Sequence, residues 1–266
     1  MRIAVVAPSC TLSREAGDGV LSLVRDRGDC ELLIHPQCYE TDGHFAGSDA
    51  VRLAALREVM ADETVEAVWF ARGGYGSNRI AEAALADLPQ AAADKIYMGY
   101  SDAGFLLAGL HKGGLKAAWG PMPQDIRRQG GDAAVTRALD WLVHRDPSAL
   151  EGALERPSMA FNLTVLSNLL GTGLEPDLAG VDLLIEDVSE QLYRIDRTMF
   201  HVASSKAVRK VARLRLGRVS DILENDPEFA GDECAIVEDW CARNGIAYGG
   251  RADIGHDAAN RVVPFF

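Results

Sequence analysis

The feature that most constrains this chain is an alternation. Short apolar runs at residues 2–7, 31–34, 65–70, 96–100 and 116–119 are separated by longer stretches of helical periodicity at 16–26, 50–60, 78–86, 103–111 and 133–143. In the second of these stretches Val51, Leu53, Leu56 and Met60 fall on one side. Brief runs without polar alternation suit strands buried on both faces, and parallel strands need a crossover helix between them. The pattern therefore predicts a parallel sheet with helices on both faces, joined by right-handed crossovers. The segment 36–47 is long and polar, and reads as a flexible connector or as part of a lid.

The rhythm breaks at 146–157, where Arg-Asp-Pro-Ser and Glu-Arg-Pro-Ser have the composition of a linker. Beyond it the expectation is a helix at 163–170, a strand at 181–185, a helix at 197–204, an alternating strand at 211–219, an amphipathic helix at 233–243 and a strand at 246–248. This predicts two units, 1–147 and a smaller α/β unit over 148–266.

With 48% hydrophobic and 25% charged residues in 266, the chain is neither disordered nor low in core-forming material. Its 27 basic against 39 acidic residues leave a formal charge of −12, which repels phosphate backbones and anionic membranes. No apolar stretch approaches the length of a membrane span, and the N-terminal run is too short for a signal peptide. The five cysteines are scattered, without a C-x-x-C pair, and read as free thiols in a reducing compartment. The expectation is a cytoplasmic protein with neither nucleic acid nor membrane as partner.

Four places could carry chemistry. Arg72-Gly73-Gly74-Tyr75-Gly76 follows an apolar strand, where glycines let N–H groups converge on an anion; a tight turn needing positive φ explains them equally well. Gly99-Tyr100-Ser101-Asp102-Ala103-Gly104 has the strand–turn–helix context of a nucleophile elbow. Ser101 also reads as an ordinary N-cap with Asp102 in the first turn. Of six histidines, His256 stands out because it follows Gly255 just past a strand. Glu186, directly after the 181–185 run, is a carboxylate on a rigid scaffold that could orient an imidazole, with Glu190 as its nearest rival. No His, Asp or Glu cluster has metal-ligand spacing, and neither a metal nor a cofactor is expected.

These pieces occur in one order with Asn162-Leu163-Thr164-Val165-Leu166 and Tyr193-Arg194-Ile195-Asp196-Arg197, and together they resemble the L,D-carboxypeptidase family over nearly the whole chain. That family takes in murein tetrapeptide carboxypeptidases and microcin C immunity peptidases. The resemblance implies a flavodoxin-like N-terminal domain, related to class I glutamine amidotransferases, and a smaller C-terminal domain across a cleft. It also implies a homodimer and a Ser101–Glu186–His256 triad, with the N–H groups of Gly73 and Asp102 as oxyanion hole. Arg72, Tyr75, Arg194 and Arg197 become candidates for substrate contact. The implied reaction is removal of the terminal D-alanine from a murein tetrapeptide. The alternatives are hydrolysis of an acyl-sulfamoyl or phosphoramidate peptidyl-adenylate, and a non-catalytic module that binds an anion or peptide. Two departures stand out: Ala160-Phe161 precede Asn162 where the family has Gly-Gly, and the chain stops at Pro264-Phe265-Phe266, short of a further strand.

Overall fold

A computed structural model describes residues 1–152 and 154–265; Phe266 lies outside the described residues. The first part runs β1 (Arg2–Val6), α1 (Arg14–Arg27), β2 (Glu31–Ile34), α2 (Asp49–Ala61), β3 (Ala67–Phe70), α3 (Ser77–Ala86), β4 (Ile96–Gly99), α4 (Gly104–Lys112), β5 (Lys116–Trp119) and α5 (Gly131–His144). β1 to β5 pair in parallel in the order β2-β1-β3-β4-β5, the flavodoxin-like doubly wound order. β3 and β4 are buried at every position, as their unbroken apolar runs require.

The second part runs β6 (Ser158–Asn162), α6 (Leu163–Leu169), β7 (Asp182–Val188), α7 (Leu192–Ser204), β8 (Arg213–Ser220), α8 (Glu233–Asn244), β9 (Tyr248–Arg251) and β10 (Val263–Pro264). β6 to β9 form a separate sheet, all parallel, in chain order. β10 crosses back and pairs antiparallel with β5, on the edge of the first sheet. The segment that follows β9 is thus held by both halves.

Several elements differ from the sequence expectation. β6 was not anticipated, because its five residues come directly after the Pro-containing linker; all five are buried. α7 begins five residues earlier than expected, and its buried Ile195, Met199, Val202 and Ala203 follow a helical spacing. The segment 36–47 is pinned rather than loose. Gln37 accepts from the Ala7 N–H (3.2 Å) and donates to the carbonyls of Ala7 (2.8 Å) and Ala46 (2.6 Å), while Cys38 is fully buried. All five cysteines are free.

One apolar core crosses between the sheets. Phe105 and Leu106 of α4 belong to the same buried cluster as Phe161, Leu163 and Val165. A Cβ on Gly104 would lie 3.0 Å from Val165 and 3.4 Å from Phe161, so glycine there lets α4 and the β6–α6 corner pack closely without either neighbour giving way.

Candidate active site

Ser101 opens the turn between β4 and α4 with φ of +59°, in the left-handed region that non-glycine residues rarely occupy. An N-cap serine has extended φ/ψ, as Asn162 does at the start of α6. The backbone at Ser101 is instead the tight elbow that lifts a side chain above the carboxyl edge of a sheet.

The Ser101 hydroxyl lies 3.0 Å from His256 Nε2, and His256 Nδ1 lies 2.5 Å from Glu186 Oε2. An ionised carboxylate can only accept, so Nδ1 carries the proton that Glu186 receives, and the Nε2 lone pair faces Ser101. Glu186 is fully buried and His256 is 9% exposed. Burial alone would push the imidazole down; the charge of Glu186 and its hydrogen bond outweigh it and hold His256 above the usual histidine value.

Glu186 sits inside β7, not after it, because the strand runs on to Val188. The β7–β8 register shifts between Ile185 and Asp187, so Glu186 occupies the irregularity that re-aims a side chain. Its neighbour Asp187 accepts from Asn162 Nδ2 (2.8 Å), Thr164 Oγ1 (3.0 Å) and two backbone N–H groups. Burial and the Glu186 charge push Asp187 up to about 6. Glu190, the rival acid, is bound at 2.5 Å by Arg194 Nε and does not contact the imidazole.

The glycine loop packs against the elbow. A Cβ on Gly73 would lie 2.9 Å from both Cβ and Oγ of Ser101, so the loop backbone comes this near to Oγ only without a side chain there. The Asp102 side chain ties the loops together: its Oδ2 accepts from Ser9 Oγ (2.5 Å) and the Ser77 N–H (2.8 Å). Ser77 Oγ in turn donates to the Asp102 carbonyl at 2.5 Å. The buried Arg52 guanidinium donates to the carbonyls of Pro8, Gly76 and Gly47, fixing the same loops from beneath.

His256 is braced chiefly by the first half of the chain. The Tyr100 ring lies 4.9 Å from the imidazole, and its hydroxyl donates to Asp125 Oδ1 at 2.7 Å. Arg128 donates to Asp125 (2.9 Å) and to the His256 carbonyl. Asn260 Oδ1 accepts from Trp119 Nε1 (2.9 Å) and from the Gly255 N–H (3.2 Å). Together these contacts hold the loop that carries His256.

Ser101 stands between two cavities. One, of about 720 Å³, is walled by Tyr75, Asn78, Glu82, Asn162, Asp187 and Glu190 among others. The other, of about 470 Å³, contains His256 with Arg72, Arg127 and Arg128. Of the substrate-contact candidates, Arg72 and Tyr75 line these cavities, whereas Arg194 and Arg197 do not. Arg194 pairs with Glu190, and Arg197 lies 5.4 Å over the Tyr193 ring. Arg127 and Arg128 went unnoticed in the sequence; the available signal was their place beyond β5, at the same sheet edge as Gly73 and Ser101. Among the described residues no three His, Cys, Asp or Glu side chains gather as a metal site.

Residues 3–120 match the family described as LD-carboxypeptidase N-terminal domain, and residues 158–265 match the LD-carboxypeptidase C-terminal domain. The murein tetrapeptide carboxypeptidase of Pseudomonas aeruginosa is 28% identical, over 99% of this chain and 91% of its own length. The muramoyltetrapeptide carboxypeptidase of Oxalobacter formigenes superposes with a TM-score of 0.83 at 25% identity, over 98% of this chain and 92% of that one. The microcin C7 self-immunity protein MccF shares the fold, with a TM-score of 0.80 at 19% identity over 99% of this chain and 90% of its own. With both domain families matched in order along most of its length, the chain belongs to the LD-carboxypeptidase family.

Proposed function

We propose that the chain is a serine L,D-carboxypeptidase that removes the terminal D-alanine from murein tetrapeptides. Ser101 is the nucleophile, His256 the general base and Glu186 the acid that orients it. The observation that carries this reading is the company His256 keeps. A base that takes the serine proton must next give it to the departing amine, so the leaving group lies on the histidine side of Ser101. That side holds Arg72, Arg127 and Arg128, guanidinium groups suited to a carboxylate. A leaving amino acid with a free carboxylate is what a carboxypeptidase releases.

In the first step His256 Nε2 takes the Ser101 proton as Oγ attacks the carbonyl of the third stem residue. The N–H groups of Gly73 and Asp102 receive the developing oxyanion. Protonated His256 stays paired with Glu186 and passes its proton to the D-alanine nitrogen as the bond breaks. Water, deprotonated by the same imidazole, then releases the acyl group from Ser101.

We further infer a cytoplasmic homodimer acting in cell-wall recycling. The five free thiols support a reducing compartment, and no helix among the described residues is long and apolar enough to cross a membrane. The homodimer rests on the family resemblance alone and is read by light scattering.

The test is mass spectrometry of a murein tetrapeptide and of the same peptide carrying a C-terminal amide. The expected result is loss of one alanine from the free acid and a rate at least about tenfold lower for the amide, the worth of a charge-assisted hydrogen bond. Equal rates on both would refute the role given to the arginines, and no alanine release would refute the activity.

A further inference from the structure

Asp102 carries a buried carboxylate that the mechanism above does not use. The residue is 3% exposed, and its side chain accepts from Ser9 Oγ (2.5 Å), the Ser77 N–H (2.8 Å) and the Gly76 N–H. Ser9 and Ser77 are themselves fully buried. Burial pushes the carboxyl up, and these hydrogen bonds pull against it. Keeping a carboxylate out of water is costly, and the donors around it offset that cost.

The donors show what the carboxylate holds. α3 starts at Ser77 behind Gly76, which has no side chain to cap the helix. α1, α2, α6 and α8 are capped by their own Ser13, Ser48, Asn162 and Asp232. Asp102 supplies the missing cap of α3 from the elbow after β4, and its charge suits the positive end of that helix. The tie runs both ways, because Ser77 Oγ donates to the Asp102 carbonyl at 2.5 Å. Ser9 comes from the turn after β1, so one carboxylate joins the ends of β1 and β4 to the loop that follows β3. That loop contains Gly73, and its Gly74 and Gly76 take φ of +107° and +129°. Glycines at such angles leave a chain free to shift unless it is tied.

The Gly73 and Asp102 N–H groups, assigned above to the oxyanion, stand on separate segments. An oxyanion needs both donors at once, each within about 2.7–3.1 Å. We propose that the Asp102 carboxylate is a positioning residue for the oxyanion hole: by capping α3 it fixes the glycine loop against the elbow and sets the separation of the two donors. Asp102 then gives its own N–H and, through its side chain, places that of Gly73. The assignment rests on the serine mechanism above, and the carboxylate acts through the loop rather than on the substrate.

The experiment compares Asp102→Ala, Asp102→Asn and Ser9→Ala with wild type on a murein tetrapeptide, and measures inhibition by the tripeptide aldehyde that ends at the third residue. Ser101 Oγ adds to the aldehyde carbon, giving a hemiacetal whose oxygen occupies the oxyanion hole. Asp102→Ala should lower kcat by about 10²–10³, the worth of an oxyanion donor, with KM within about threefold and aldehyde affinity falling in step with kcat/KM. Asparagine keeps an oxygen for Ser9 and Ser77, so Asp102→Asn should recover at least about tenfold of that loss. Ser9→Ala leaves the Ser77 N–H in place and should fold even where Asp102→Ala does not. It should lose about threefold to tenfold in both kcat and aldehyde affinity, the worth of one hydrogen bond. Variants that lose Tm but keep kcat and aldehyde affinity would reduce Asp102 to a structural cap. Asp102→Asn as impaired as Asp102→Ala would move the effect from the acceptor to its charge. Either result would overturn the proposal and leave the carboxypeptidase standing, whereas no alanine release by wild type would overturn both.

Discussion

Replacing Glu186 with glutamine changes one charge and almost no volume. Wild-type Glu186 Oε2 receives the Nδ1 proton of His256 at 2.5 Å, inside a fully buried site. A glutamine there can present its oxygen, which keeps the tautomer, or its NH₂, which donates to Nδ1 and leaves the ring proton on Nε2 facing Ser101. In the second arrangement the imidazole cannot accept the serine proton. In the first, the imidazolium formed during catalysis has lost its counter-charge, a charge-assisted contact of about 1.5–3 kcal/mol, or one to two decades in rate. The two effects together give a fall in kcat of about 10³–10⁴, close to that known for the equivalent Asp→Asn change in a serine triad. The pH profile carries a second signature. His256 must be neutral to act as base, and it sits above the usual histidine value, so wild-type kcat/KM should climb with pH through a midpoint above 6.5. Without Glu186 the upward push is gone and burial remains, so the residual activity should climb at lower pH. Alanine release from a tetrapeptide between pH 5 and 9 reads both effects. A fall in kcat of less than tenfold, with the acid limb unmoved, would remove Glu186 from the triad. Glu190→Gln is the matched control, because Glu190 is held by Arg194; a larger kcat loss there would transfer the role.

Ser101→Ala should lower kcat by about 10⁴–10⁶ while substrate still binds, as judged by calorimetry; a drop under tenfold would exclude the serine as nucleophile. Gly73→Ala places a methyl within 2.9 Å of Ser101 Oγ, and kcat should fall by about 10²–10³ through displaced oxyanion donors with little change in Tm. EDTA should leave the rate unchanged, and inactivation reversed by zinc would replace the serine mechanism with metal-assisted hydrolysis. A pentapeptide ending in D-alanyl-D-alanine should be a poor substrate beside the tetrapeptide, because its scissile carbonyl sits on a D-centre; equal rates would indicate a D,D-peptidase.

Much of the first sheet could be read directly, because strands buried on both faces leave unbroken apolar runs and the helices between them keep their period. The second half was harder for a local reason. β6 sits against Pro157 and merges with the linker, and β9 is Tyr-Gly-Gly-Arg, whose Gly249 packs under the β8 arginines, where a Cβ would lie 2.7 Å from Arg213 Cδ. At the site, residue type and order marked Ser101, Glu186 and His256, but the backbone that makes them meet was invisible. Positive φ at Ser101 and the register shift beside Glu186 arise from pairing with distant strands, and no local pattern records them. With the arginines the difference runs the other way. Arg194 and Arg197 were picked out by charge within a motif, yet α7 sets both outside the cavity walls. Arg127 and Arg128 end the short 3-10 turn Pro123–Arg127 beyond β5, which contacts with Ala71 and Tyr100 hold at the site.

The site is assembled from irregular backbone, and each irregularity has a cost that its surroundings must offset. A non-glycine residue in the left-handed region costs of order 1–3 kcal/mol, and a carboxylate buried beside another carboxylate resists ionisation. Two features of the fold supply the offset. The apolar cluster shared by α4 and the β6–α6 corner fixes the elbow against the second sheet, so Ser101 and Glu186 cannot drift apart without opening that core. The return of β10 to β5, with Arg137 donating to the carbonyls of Ala258 (3.0 Å) and Asn260 (2.8 Å), pins the histidine loop to the sheet that carries the serine. A chain whose second half were merely tethered to the first would need a closing motion to bring Glu186, His256 and Ser101 into line. Here the last strand of the second half is part of the first sheet, and Ser101, His256 and Glu186 stand in one hydrogen-bonded line. On the proposed serine mechanism such an alignment is the pre-organisation that electrostatic catalysis requires, and β10 supports it although it carries no reacting group.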